Sequence, residues 1–203
     1  MKVLVCTVRR YNGHELWQGL ATLLERGHTF EITSTAEVIM DELSGKANRV
    51  SRTWDEVALD EEFDGLMIVS GNPKDTANLW VDDKIRQLVE AYGAKPVAAI
   101  CAAVPAIRYV ASGKRVAFYP LIRSRQLLGD AGAVLTHLSV CVDQNLVTAE
   151  SQARSVEWAN YFCDLLEGIV PEFSLIDSGY RPLGKPYRRL KEIRNLIGEE
   201  DDD

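Results

Sequence analysis

Apolar residues recur along this chain in short unbroken runs, separated by longer stretches of helical periodicity. The run from Val3 to Val8 predicts a central parallel strand, buried on both faces. Residues 15 to 25 carry Leu16, Leu20, Leu23 and Leu24 at helical spacing, and Gly27 follows where a helix C-terminus favours glycine. The alternation then continues. Strands are predicted over 29–34, 65–69, 97–100, 116–118, 134–140 and 146–148, and helices over 81–92, 104–110 and 155–166. The polar stretch 37–52 reads as a peripheral excursion, a hairpin, and Ser70-Gly71-Asn72-Pro73 as a loop. Strands alternating with helices imply right-handed βαβ units and a doubly wound sheet. Ligands bind such sheets beyond the carboxyl ends of the strands. Three segments lie at those ends: 11–15, 70–72 and 101–103.

Composition narrows the class. The chain has 203 residues, 46% of them hydrophobic, enough for one compact domain with a sizeable core. The pattern changes after Gly168, where Pro171, Gly179, Pro182, Gly184 and Pro186 interrupt it. The reading is therefore a domain over 1–168 and a C-terminal extension over 169–203, with a short basic helix at 187–197 and a solvated acidic end at 199–203. The formal net charge is −7, and five negative charges lie in that end. Lys114, Arg115, Arg123 and Arg125 are locally basic but form no stripe, so no nucleic-acid partner is expected. No apolar run approaches the roughly 20 residues of a membrane span, and Arg9 and Arg10 close the first apolar run too early for a signal peptide. The expectation is a cytoplasmic protein without a membrane partner. No metal-ligand set and no cofactor motif is visible, so no cofactor is expected.

The four cysteines, Cys6, Cys101, Cys141 and Cys163, form no C-x-x-C pair. Cys6 and Cys141 fall in apolar strand-like runs and Cys163 in a helical pattern, where small buried thiols are common. Cys101 differs. In KPVAAICAAVPAI, residues 95–107, an apolar strand runs directly into a cysteine flanked by small residues, and a helix follows. That is the logic of a nucleophile elbow: a sharp turn exposes the thiol, and a helix N-terminus offers free N–H groups that favour a thiolate. Composition alone allows equally that Cys101 fills a small buried space.

This segment resembles the elbow of the ThiJ/PfpI superfamily, the parkinsonism-associated deglycase family with a class I glutamine amidotransferase-like fold, whose pattern is AAICAG before an apolar helix. The resemblance runs in order over residues 1–168. Residues 64–72 (DGLMIVSGN) are similar to the family's aspartate, apolar strand and Pro-Gly-Gly loop, 113–116 (GKRV) to its GKKVT strand entry, 143–149 (DQNLVTA) to its DGNLVTA hairpin, and 157–159 to the start of its last helix. The resemblance implies a flavodoxin-like three-layer α/β sandwich with a mostly parallel sheet, a small-molecule substrate and a homodimer. It implies Cys101 as nucleophile and Glu15 as the first-helix glutamate that bonds the thiol. The backbone N–H groups of Gly71 and Ala102 are then the oxyanion donors, with Tyr119, His14 and Asn72 around the pocket. Trp80, Tyr11 and Trp17 are the aromatic residues expected to shape it.

Three departures bear on chemistry. Tyr119 stands where many members carry histidine, and a neutral phenol is a poor general base near pH 7. Ser70 replaces the family's first loop glycine. Ala103 replaces the glycine after the CA pair, where its methyl is expected to narrow the pocket. His14 is equally a solvent-exposed first-turn residue, and His137 falls in a predicted strand as a structural residue. Three functions follow: a cysteine-dependent hydrolase or lyase of glyoxalase, deglycase or hydratase type acting on a carbonyl, amide or isonitrile carbon; a non-catalytic oxidative-stress protein with Cys101 as a reactive thiol; or an interaction module.

Overall fold

A computed structural model describes residues 1–169 and the backbone strand at 175–176. The eight strands of its main sheet are β1 (Lys2–Thr7), β2 (Thr29–Ser34), β3 (Arg52–Thr53), β4 (Gly65–Val69), β5 (Val97–Ile100), β6 (Val140–Asp143), β7 (Leu146–Ala149) and β8 (Leu175–Ile176). Their spatial order is β8-β6-β7-β5-β4-β1-β2-β3. All pairings are parallel except those of β6, which is antiparallel to both neighbours. The five longer parallel strands thus run β2-β1-β4-β5-β7. This is the flavodoxin-like order, with its switch point between β1 and β4.

The apolar strands are continuous because both faces are covered, and a period of two sorts their side chains. Val3 and Val5, Met67 and Val69, and Ala98 and Ile100 pack on one face with Leu16, Leu20, Trp158 and Phe162. Leu4 and Cys6, Leu66 and Ile68, and Val97 and Ala99 pack on the other with Ile85, Leu88, Val104 and Ile107. The helices are α1 (Gly13–Glu25), α2 (Pro73–Leu79), α3 (Asp83–Ala91), α4 (Ile122–Asp130) and α5 (Ser155–Leu166). Helices α1 and α5 pack against each other over the first face. Gly65 lets α5 approach β4 closely, because a Cβ there would lie 2.9 Å from both Leu166 Cδ2 and Phe162 Cζ.

Several elements differ from the sequence reading. The stretch 37–52 does form a hairpin, Val38–Asp41 with Ala47–Arg49, and Arg10–Tyr11 adds to it in parallel. The loop expected after β4 turns at once into α2, because Asn72 is an N-cap and Pro73 occupies the first turn. Helix α4 buries little apart from Ser124 and Leu128, so its sequence lacks an apolar stripe. The single strand expected over 134–140 is two: Val134–Leu135 pairs with Arg115–Val116 in a separate ribbon, and β6 begins at Val140. His137 lies between them, exposed and outside any strand, so the structural role expected for it is corrected. The segment past residue 168 adds strand β8 to the sheet edge. The helix expected at 187–197 and the acidic end lie outside the described residues. Among the described residues no helix is long and apolar enough to cross a membrane, and no group of His, Cys, Asp and Glu is arranged to hold a metal.

Candidate functional site

Three chain segments meet at the carboxyl ends of the central strands. The register of β4 and β5 pairs Met67 with Ala98 and Ile68 with Ala99, so its continuation sets Ser70 beside Cys101. Strand β1 pairs with β4 on the other side, and the connection to α1 folds back over Ser70 through Asn12 N–H donating to Ser70 O at 2.9 Å. Asn12 caps α1 by accepting from Glu15 N at 3.3 Å, which places Glu15 in the first turn and aims it at the same edge.

Cys101 sits in the left-handed region, with φ 56°. A non-glycine residue there is strained, and such strain is held by its surroundings at functional sites. The helix behind it, Cys101–Val110, is 3-10 rather than α. Pro105 lacks the N–H that would close the first α-turn onto the Cys101 carbonyl. Trp80 holds the turn from outside: its Nε1–H donates to Ala102 O at 2.7 Å, and its own carbonyl accepts from Arg108 Nη1 at 2.5 Å. Ala103 is fully buried in the core on the far face, so its methyl does not narrow the pocket.

Glu15 is completely buried, at 0% exposure. Its Oε2 accepts two bonds from one residue, Ser70 N–H at 2.9 Å and Ser70 Oγ–H at 2.7 Å. Its Oε1 is buried and makes no well-formed hydrogen bond. Burial pushes the carboxyl up to about 7, against the opposing pull of the two Ser70 donors and the Cys101 side chain. The Cys101 thiol is pushed up to about 12, first by burial and then by the negative charge of Glu15; the Ala102 N–H and the Ser70 side chain oppose the rise. At neutral pH this centre therefore rests with a neutral thiol beside a carboxyl whose proton is held far more tightly than an exposed glutamate would hold it.

The thiol opens into a cavity of about 580 Å³. Trp80, Tyr119, Leu121 and Pro73 form its apolar wall, and Asn12, Glu42, Ser151 and Gln152 its polar one. Asn12 Nδ2 donates to Gln152 Oε1 at 2.5 Å and so ties the α1 cap to the loop before α5. Of the residues named from sequence, Cys101, Gly71, Ala102, Tyr119 and Trp80 line this space, and Glu15 lies beneath it. Asn72 stands behind the wall, where its Nδ2 donates to Glu42 Oε1 at 3.1 Å and its Oδ1 accepts from Arg10 and from Lys74 N. His14 is exposed and is not among the lining residues. Tyr11 and Trp17 are buried edge to face, 5.7 Å apart, and belong to the core.

The two backbone donors fare differently. The Ala102 N–H acts on the Cys101 sulfur. The Gly71 N–H already donates to Thr76 Oγ1 at 3.0 Å. Glycine is required at 71 in any case, since a Cβ would lie 2.0 Å from Arg10 O and 2.6 Å from Tyr11 Cα. The contribution of Ser70 was not drawn from sequence, although its presence in place of a glycine was the visible signal. Glu42, Ser151 and Gln152 had no signal, because they reach the cavity from irregular segments.

The model of the DJ-1/PfpI family matches residues 1–165 of the chain. Among curated relatives, the deglycase PfpI of Pyrococcus furiosus is 28% identical over 172 residues, covering 82% of this chain and all of that protein. Among solved structures, a ThiJ/PfpI domain protein from Brachyspira murdochii superposes with a TM-score of 0.75 at 20% identity, over 83% of this chain and 98% of that one. Drosophila melanogaster DJ-1beta superposes at 0.70 with 21% identity, over 82% and 90%. With a match that takes in both Glu15 and the Cys101 elbow, this chain belongs to the DJ-1/PfpI family.

Proposed function

We propose that the Cys101 cavity is the active site of a cysteine-dependent hydrolase or lyase acting on a small electrophilic carbon, with Glu15 as its acid–base group. The observation that carries this reading is a fully buried glutamate, its carboxyl raised to about 7, acting on a strained cysteine at the floor of a cavity. Carboxylates are seldom buried without a charged partner, and the cost is tolerated where a proton must move near neutral pH. In the proposed step the Cys101 S–H bond breaks as the sulfur adds to the carbon. The proton passes to the carboxylate of Glu15, and the protonated carboxyl then returns it to the oxygen or nitrogen that gains the electron pair. The Ala102 amide supports the charge that develops. The curated relative named a deglycase fits a small electrophilic substrate.

A sensor reading draws on one observation: Cys101 alone among the four cysteines is not buried. The neutral resting thiol weighs against it, since the thiolate is the form that peroxide attacks. Turnover of a panel of small aldehydes, glycated amines and amides by wild type, Cys101→Ala and Glu15→Gln tests the enzyme reading. Loss of turnover in both variants is expected. Unchanged turnover by Cys101→Ala on every substrate found refutes it.

A further inference from the structure

The cavity over Cys101 carries charge of one sign. Glu42 is the one Asp, Glu, Lys or Arg among its described lining residues, and the carboxyl of Glu15 lies beneath the floor. Glu42 is exposed, yet its place is fixed from two directions. Its backbone N–H donates to Tyr11 O at 2.9 Å, which ties the end of the hairpin strand Val38–Asp41 to the connection before α1. Its Oε1 accepts from Asn72 Nδ2 at 3.1 Å, at the N-cap of α2. Its Oε2 has no partner among the described residues, so one carboxylate oxygen is left for a solute. Arg10 is near enough for its charge to interact with Glu42. The guanidinium is already bonded to Asp75, through Nε at 2.9 Å and Nη2 at 3.3 Å, so the three groups together stay negative. Arg123 stands 6.0 Å from the Trp80 ring and does not line the cavity.

We propose that Glu42 is a charge filter on this cavity, admitting electrophiles that carry an ammonium or guanidinium group in preference to those that carry a carboxylate or phosphate. The inference rests on the activity proposed above and names the charge class of its substrate. A cation that enters meets the free oxygen of Glu42 on the polar wall. Trp80 and Tyr119 line the apolar wall, and the faces of such rings attract cations. An anion that enters loses water and finds no lining cation among the described residues to replace it. A cleft lined by one sign of charge focuses the field on its contents, so a single carboxylate at a cavity wall acts more strongly than one on an open surface. No bond or proton transfer is asked of Glu42; it acts on entry and binding, and so sets specificity.

The test is the rate at which Cys101 in the full chain reacts with three methanethiosulfonates: the neutral methyl reagent, the ethyltrimethylammonium cation and the ethylsulfonate anion. Peptide mass spectrometry assigns the label to Cys101, and each rate is divided by that of free 2-mercaptoethanol. The cation-to-anion ratio is the readout. The thiolate fraction cancels in it, so the ratio reports the field in the cavity and not the proton chemistry of Glu15. At low salt Glu42→Gln should lower the ratio roughly tenfold, about threefold for each reagent in opposite directions, and leave the neutral rate within about twofold. Glu42→Lys should lower it further. In wild type, about 1 M salt should bring the ratio toward that of Glu42→Gln, because the screening length falls to about 3 Å. Glu62→Gln removes one negative charge from an exposed position before β4, at the opposite end of the sheet, and should leave the ratio unchanged. A ratio that Glu42→Gln does not change, or that Glu62→Gln lowers as much, overturns the filter and leaves the Cys101–Glu15 reading standing. If the neutral reagent fails to label Cys101 in the native protein, the open cavity fails, and the proposed activity and the filter fall together.

Discussion

Glu15→Gln should make the protein more stable at pH 8, by an amount that follows from the burial of this side chain. In the unfolded chain the carboxyl titrates near 4.5, and in the folded protein burial raises it to about 7. Between these values the folded state binds more protons than the unfolded one, so unfolding free energy falls as pH rises. The group costs nothing below pH 4.5, and its full penalty is present above pH 7. A difference of about 2.5 units corresponds to roughly 3 kcal/mol at 1.36 kcal/mol per unit. Glutamine reproduces the protonated form: its carbonyl oxygen can accept both Ser70 donors, and its NH2 takes the place of Oε1. Urea denaturation of wild type and Glu15→Gln at half-unit steps from pH 4.5 to 8 measures the difference. The curves should nearly coincide at pH 4.5 and separate to roughly 2–3 kcal/mol at pH 8, with the variant the more stable. A constant offset across the range, or a wild type that is the more stable at pH 8, refutes the assignment of a raised carboxyl. A side chain that destabilises the fold near neutral pH while anchoring a cavity fits a residue retained for function.

Three further outcomes follow. Arg52 bonds Glu31 and Glu61 at 2.5 Å each, and the guanidinium holds the Glu61 carboxyl down to about 2. The depressed value means that its stabilisation is complete above pH 4.5 and is lost as pH falls through 2. Allowing for screening of a partly exposed pair, Arg52→Ala should cost about 1 kcal/mol at pH 6 and less at pH 3, read by denaturant midpoints. Gly71→Ala should lower the melting temperature sharply or prevent folding, because its Cβ meets backbone that cannot move aside. Brief peroxide treatment followed by peptide mass spectrometry should find oxidation concentrated at Cys101, with Cys6, Cys141 and Cys163 spared by burial; equal oxidation of all four would contradict the fold around them.

The elements that fix the fold were legible because burial on both faces leaves no ambiguity. Strands β4 and β5, buried throughout, have the bounds read from their apolar runs, and α5, buried on one face, has those read from its helical spacing. Elements that bury little were not legible: α2 sinks only Thr76 and Leu79, and its start was marked by a cap and a proline that resemble a loop. At the site, the pairing of Glu15 with Cys101 came from motif resemblance, since 86 positions along the chain separate them and no local pattern joins them. The role of Ser70 escaped because a residue type shows what can donate, whereas the acceptor, Glu15, is carried on α1 and reaches the end of β4 only in the fold. Tyr119 is 42% exposed at the cavity wall, so the position expected to hold a histidine does face the Cys101 cavity.

The amide of Gly71 shows how far a motif can mislead about a donor. The resemblance implies a free N–H at this position, and the glycine is indeed indispensable, but for closeness to Arg10 and Tyr11. Its N–H donates to Thr76 Oγ1, and that hydroxyl donates in turn to Gly71 O at 3.2 Å. Thr76 is fully buried, so these bonds are shielded from water. Thr76→Val keeps the side-chain shape and removes both, at a cost of about 1–2 kcal/mol. Native-state hydrogen exchange followed by NMR reads the difference at one site: the Gly71 amide should be protected in wild type and exchange much faster in Thr76→Val. A Gly71 amide that exchanges as fast in wild type as an open loop would return it to the pool of free donors. If the protection is found, the developing charge has the Ala102 amide and the Glu15 proton to rely on, and proton transfer becomes the larger part of the proposed catalysis.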